Sequence, residues 1–343
     1  MHFWLFCTLA LAASLLLTAA VRRYALGRSM LDVPGARSSH RVPTPRGGGI
    51  AIVVSYLTCA IWLGLTGQEG DWTWLAISGA GLITALIGFL DDHGHVAARW
   101  RLLGHFAAAV WALVWLPELP FAAAFRDAGL VWVLYGACLL FLVWMLNLYN
   151  FMDGIDSLAS VQAITVCVGM GALYYIGGSA RLAGATFLLA ACVAGFLYWN
   201  FPPAKIFMGD AGSGFLGMVI GILALHAGGT SWAYFCAWLI LMGVFILDAT
   251  YTLLRRCARG EKIYQAHCSH GYQVAAREHG AHMPVTTAVA LINLLWLLPI
   301  SFVVVRAYVS PVVGVIIAYL PLLCLAVKYR AGAPETNAPR VGP

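Results

Sequence analysis

Apolar residues in this chain come in long unbroken runs, not in the three-and-four spacing of a helix with one wet face. Runs of roughly 20 residues with few charges have the length an α-helix needs to cross a hydrocarbon core. Read in that unit, the pattern predicts about eleven spans, at 3–21, 48–66, 73–90, 102–116, 129–149, 158–176, 182–199, 213–229, 232–254, 285–305 and 310–327. The first run has no basic segment before it, and Arg22 and Arg23 follow it, so it reads as a retained helix and not a cleaved signal. The expected fold is all-α and integral to the membrane, a single polytopic domain over 1–328. The polar tail 329–343, with three prolines, is expected to be disordered.

Composition agrees. Of 343 residues, 62% are hydrophobic and 10% charged, and the mean hydropathy is +0.83. A soluble domain carries about 25% charged residues, so a water-soluble enzyme is excluded. The lipid bilayer is the expected surrounding, and no nucleic-acid partner is expected. Nine cysteines lie scattered, mainly in apolar runs, without CxxC spacing, and read as small packing residues. No internal repeat is visible.

Lys and Arg set the orientation. With the N-terminus outside and the C-terminus in the cytosol, seventeen of the 20 basic residues fall on the cytosolic side, and only Arg126, Arg181 and Arg306 fall outside. That bias is a strong positive-inside signal.

The same side collects the acids. "GFLDDHGH" carries Asp91 and Asp92, "NFMDGID" carries Asp153 and Asp156, and "FMGDAGS" carries Asp210, each at a helix end; Asp248 lies within the ninth span. Carboxylates cost about 2.5–3.5 kcal/mol inside a membrane on insertion scales, which makes them candidate site residues. In "NLYNFMDGID", Asn147, Asn150 and Asp153 fan over one helix sector, each step of three drifting by about 60°. Amides there can read a polar ligand. Gly154 permits the chain to leave the helix, and Asp156 stands where an acid would cap the next one.

In "WNFPPAKIFMGDAGSGFLG", Pro202 and Pro203 stop one span, and Gly212, Ser213 and Gly214 follow Asp210 at the start of the next. Glycines at a helix start allow an anion to approach free backbone N–H groups. A carboxylate beside an anion site suggests a shared Mg2+. Adjacent Asp91 and Asp92 diverge by about 100° on a helix and so have different roles; His93 and His95 read as a polar turn. The first basic loop, with Arg37, His40, Arg41 and Arg46, reads as topology-setting charge that also attracts phosphate. The loop 255–284 joins four basic residues to "HCSHGYQ"; His267 and His270 there read better as anion-binding than as a zinc pair.

These motifs, in this order and on one membrane side over about residues 30 to 285, resemble one family: the polyprenyl-phosphate N-acetylhexosamine-1-phosphate transferases, which include the phospho-N-acetylmuramoyl-pentapeptide transferase of cell-wall synthesis. The motifs are "PTPRGGGI", "GFLDD", "NLYNFMDGID", "NFPPAKIFMGDAGS" and the basic loop with "HCSHGYQ". The resemblance implies ten or eleven helices around a cytosol-facing cleft in the bacterial inner membrane, and a homodimer. It implies transfer of a sugar 1-phosphate from a UDP-sugar to undecaprenyl phosphate, with release of UMP.

By resemblance, Asp210 is the Mg2+ ligand, with Mn2+ as the alternative ion. Asp91 and Asp92 are the acidic pair near the lipid phosphate, as base, metal partner or both. Asn147, Asn150, Asp153, Asp156, Asn200 and Phe207 are nucleotide-sugar positions, and His267 and His270 are the outer members of a histidine motif, expected on the diphosphate or sugar. Ser269 replaces that motif's middle histidine, and Tyr264 stands where many members carry an acid. Both departures resemble the branch that initiates O-antigen synthesis, which handles N-acetylhexosamines and their 6-deoxy forms, more than the peptidoglycan branch. The rival from another class is a secondary transporter, which usually places its site near the bilayer midplane between repeats.

Overall fold

The computed structural model describes residues 2–28, 30–35, 42–66, 72–94, 96–261 and 267–334. Arg37, His40, Arg41, His95, Lys262, Tyr264 and the tail beyond 334 lie outside the described residues. The chain runs α1 (His2–Gly27), β1 (Leu31–Asp32), β2 (Thr44–Pro45), α2 (Ile50–Thr66), α3 (Thr73–His93), α4 (Ala98–Trp115), α5 (Ala122–Asp127), α6 (Val131–Phe151), α7 (Leu158–Ile176) and α8 (Ala180–Asn200). It continues through α9 (Asp210–Thr230), α10 (Trp232–Leu241), α11 (Gly243–Ala258), α12 (Gly271–His279), α13 (Met283–Ile292), α14 (Leu298–Val305) and α15 (Pro311–Lys328), with a π-helical segment, Asn293–Leu297, joining α13 to α14.

All eleven expected spans are helical, but they are not equivalent. Eight described helices are long and apolar enough to cross a membrane. α2 is shorter, and α4 opens with Arg99 and Arg101. The expected span 232–254 is two helices, α10 and α11, bent by 70° at Met242. A break at that depth exposes backbone carbonyls that no lipid can satisfy. Gln162 Nε2 donates to the Leu241 carbonyl at 3.1 Å, and Asn293 Nδ2 donates to Gln162 Oε1 at 2.8 Å. The broken helix and the π segment are therefore joined by one buried polar chain.

α9 is buried along nearly its whole length, between α3 and α6. α8 packs on α1 and α7, and α10 packs on α14 and α15. Large apolar side chains cover the outside, such as Trp132 at 82% exposure and Leu65 at 72%. Water would not tolerate such a surface, whereas lipid does. The polar tail starts later than its composition suggests. Ala331 is fully buried, Arg255 donates to its carbonyl at 3.0 Å, and Gly332 N–H donates to the Ser269 carbonyl at 2.7 Å.

Candidate active site

A cleft of about 290 Å3 opens where α3 and α6 end and α7 and α9 begin. One wall is loop on loop. β2 and the glycines after it lie along the segment before α9: Phe207 N–H donates to the Pro45 carbonyl at 2.8 Å, and Gly48 N–H donates to the Phe207 carbonyl at 2.9 Å. That pairing brings Arg46 and Phe207 into one wall, with Asp32 beside them.

Asp92 fixes the start of α9. Its Oδ1 accepts from Asp210 N–H at 3.2 Å and its Oδ2 from Ala211 N–H at 3.3 Å. The first N–H groups of a helix have no partner within it and favour a carboxylate; here another helix supplies one. The anion seat expected beside Gly212 is therefore filled by the protein's own Asp92. Gly212 has a packing reason instead: a Cβ there would strike Gly49 and Met208.

Asp210, the first residue of α9, is held on both oxygens. Oδ1 accepts from Asn150 Nδ2 at 3.0 Å, and the same amide reaches Ser213 Oγ at 3.0 Å. Oδ2 lies 3.4 Å from Arg101 Nη1, which is 2.6 Å from Asp91 Oδ2. Asp91 and Asp92 thus diverge, one onto Arg101 and one onto α9.

The other end of the cleft is built on the Asp153–Asp156 turn. Asp153 is half-buried in the wall. Burial, then the charges of Asp210, Asp92 and Asp156, push its carboxyl well above the usual carboxylate range. Asp156 does not cap α7. Its Oδ2 accepts from Ala204 N–H at 3.0 Å, and its Oδ1 lies 3.3 Å from His282 Nδ1. Asn200 Oδ1 takes the Ser157 N–H at 2.9 Å and so holds the start of α7 instead.

Among the described residues no three His, Cys, Asp or Glu side chains form a metal group by themselves. Mg2+ does not require one, since it takes one or two carboxylates with the remaining ligands from phosphates and water. Asp210 and Asp153, hard oxygen donors in a crowd of carboxylates, fit such an ion. Asp92 fits less well, with both oxygens on the α9 backbone.

A family model described as "Glycosyl transferase family 4" matches residues 74–228, from α3 to α9. A probable undecaprenyl-phosphate N-acetylglucosaminyl 1-phosphate transferase of Bacillus subtilis is 30% identical over 268 residues, covering 76% of this chain and 74% of that protein. The chain belongs to glycosyl transferase family 4. The phospho-N-acetylmuramoyl-pentapeptide-transferase of Pelotomaculum thermopropionicum is 30% identical over 280 residues, 74% of this chain and 83% of that one. The decaprenyl-phosphate N-acetylglucosaminephosphotransferase of Mycolicibacterium smegmatis is 28% identical over 271 residues, 69% of this chain and 65% of that one. Membership places the chain among transferases and ends the transporter reading.

In this family member the cleft gathers Arg46, Asp92, Asn150, Asp153, Asp156, Asn200, Phe207 and Asp210. It leaves four expected residues outside its lining. Asp91 stands behind it, its carboxyl against that of Asp210 and both on Arg101. Asn147 donates to Val143 O of its own helix at 2.7 Å and faces His105. His267 lies against Ser269 Oγ at 3.0 Å. His270 is buried, its Nδ1 3.3 Å from Asp248 Oδ1. The loop does reach the cleft, but through Gln273 and His282. Sequence reasoning missed both, along with Arg101, which looked like topology charge. The only prior signal was polarity next to a histidine motif.

Proposed function

We propose that the protein transfers a sugar 1-phosphate from a UDP-sugar to undecaprenyl phosphate, giving undecaprenyl-diphospho-sugar and UMP. The sugar is an N-acetylhexosamine or its 6-deoxy form, and the product begins a surface polysaccharide such as an O-antigen. The cleft faces the cytosol from the inner membrane, in keeping with the seventeen basic residues on its side. The observation that carries this reading is Asp210, held by Asn150 and Arg101 in the cleft of a family 4 chain.

A phosphate monoester has its second pKa near 6, so the lipid phosphate is largely dianionic and has no proton to lose. Its oxygen forms a bond to the β-phosphorus. The bond from that phosphorus to the bridging oxygen breaks, and the electron pair leaves with UMP. Two anions must meet, so positive charge is the main requirement. Arg101 and Arg46 supply it from this chain, while Asn150 and Ser213 keep Asp210 oriented. Asp210 and Asp153 would hold Mg2+, which when bound offsets charge on the diphosphate.

Purified protein with undecaprenyl phosphate, Mg2+ and a panel of UDP-sugars should release UMP with at least one UDP-N-acetylhexosamine. Asp210→Asn should lower that rate at least about a hundredfold while the protein stays folded in detergent. Release of UMP from none of the sugars by the wild type would overturn the function. Full activity of Asp210→Asn, or in excess chelator, would overturn the metal's part in it.

A further inference from the structure

We propose that Gln273 is a donor-contact residue, whose amide Nε2 stands in the cleft as a fixed hydrogen-bond donor for an uncharged, oxygen-bearing part of the nucleotide-sugar. The inference rests on the transferase reading above and adds a specificity contact to it.

The backbone fixes which end of the amide faces the ligand. His270 N–H lies 3.3 Å from Gln273 Oε1. A backbone N–H can only donate, so the atom facing it is the oxygen, and the NH2 group must point the other way. In that direction lies the cleft wall: a Cβ built on Gly154 would lie 3.2 Å from Gln273 Nε2 and would run into the Tyr272 hydroxyl. Glycine at 154 therefore makes room for α12, beyond letting the chain turn. Tyr272 O–H donates to the Phe151 carbonyl at 3.0 Å and locks α12 against that turn.

Gln273 is only 8% exposed, and its Nε2 forms no hydrogen bond among the described residues. That donor opens onto the cleft, where a ligand would give it a fixed partner. The surroundings limit what that ligand group is. Asp156, faced by His282, lines the cleft with Gln273, whereas Arg101 stands on Asp210. A neutral amide beside a carboxylate suits an uncharged group better than a phosphate, and the carboxylate accepts from O–H or N–H groups. Beside it Gln273 donates to a hydroxyl or carbonyl oxygen. A group that both donates and accepts matches this wall, such as a hydroxyl-bearing or amide-bearing ring. The sugar and the nucleoside both carry that chemistry.

Two substitutions in the full-length enzyme separate the roles of the amide. Gln273→Glu keeps an oxygen for His270 N–H, so the start of α12 holds, but removes the donor. Gln273→Met removes the donor without adding charge. Both should raise the KM for the UDP-sugar about tenfold, the worth of one lost hydrogen bond, with kcat and the KM for undecaprenyl phosphate within about twofold. Gln273→Glu should unfold at the wild-type temperature. Inhibition by UMP assigns the group. An unchanged inhibition constant in Gln273→Met places the contact on the sugar, and a parallel rise places it on the nucleoside. Wild-type donor KM in both variants overturns the inference while leaving transfer standing. Absence of UMP release from the wild type would instead bring down the function itself.

Discussion

Asp153 sits in the cleft wall with Asp210, Asp92 and Asp156 as its charged neighbours, and burial with their field raises its pKa. Such a carboxyl binds its proton more tightly folded than unfolded. The penalty for ionising it is absent below the unfolded value, about 4, and grows as pH rises from there toward the folded value. Without divalent cations, Asp153 thus makes the folded protein less stable near pH 8 than near pH 5. Asp153→Asn should flatten that dependence and melt above the wild type near pH 8. Mg2+ should raise the wild-type melting temperature more near pH 8 than near pH 5, since a cation offsets the charge that burial opposes. A melting temperature of Asp153→Asn below the wild type near pH 8 in chelator would count against this account. Asp92, the buried acid nearby, has both oxygens on backbone N–H donors at the start of α9.

At the scale of elements, α12 depends on one carboxylate in α11. Asp248 Oδ1 accepts from Gly271 N–H at 2.9 Å, and its Oδ2 accepts from Tyr272 N–H at 2.9 Å. Thr252 Oγ1 lies 3.2 Å from Oδ1, and His270 stands at 3.3 Å on the same oxygen. The intramembrane acid that looked like a site residue is thus the cap of a neighbouring helix. His270 joins that cap through its Nδ1. Asp248→Ala should cost about 2–4 kcal/mol, because buried donors to a charged acceptor are orphaned together. The loss is measured by thermal unfolding in detergent. α12 carries Gln273, so the KM for the UDP-sugar should rise in the same variant. Unfolding at the wild-type temperature would mean that the contacts around α12 hold it without Asp248.

At the scale of the whole molecule, the helices and the clustering of acids at their ends were legible, because uncharged runs of 20 residues and carboxylates within them have few other uses. The partner of each acid was not. Asp92 and Ala211 are brought together only by the packing of α3 on α9, and no local pattern reports that. The bend at Met242 was hidden too, since the partner of the Leu241 carbonyl, Gln162, belongs to α7. Direction across the membrane remains a reading of charge, and it can be tested at two positions. Cys257 is exposed at the end of α11, on the side of the cleft. Tyr308, 71% exposed between α14 and α15, lies at the opposite ends of the helices. In a background lacking the other cysteines, a membrane-impermeant maleimide should label Tyr308→Cys in intact cells and spare Cys257, and should label both after permeabilisation. Donor nucleotides are made in the cytosol, so the reverse pattern would cut the cleft off from its substrate and overturn the orientation together with the proposed reaction.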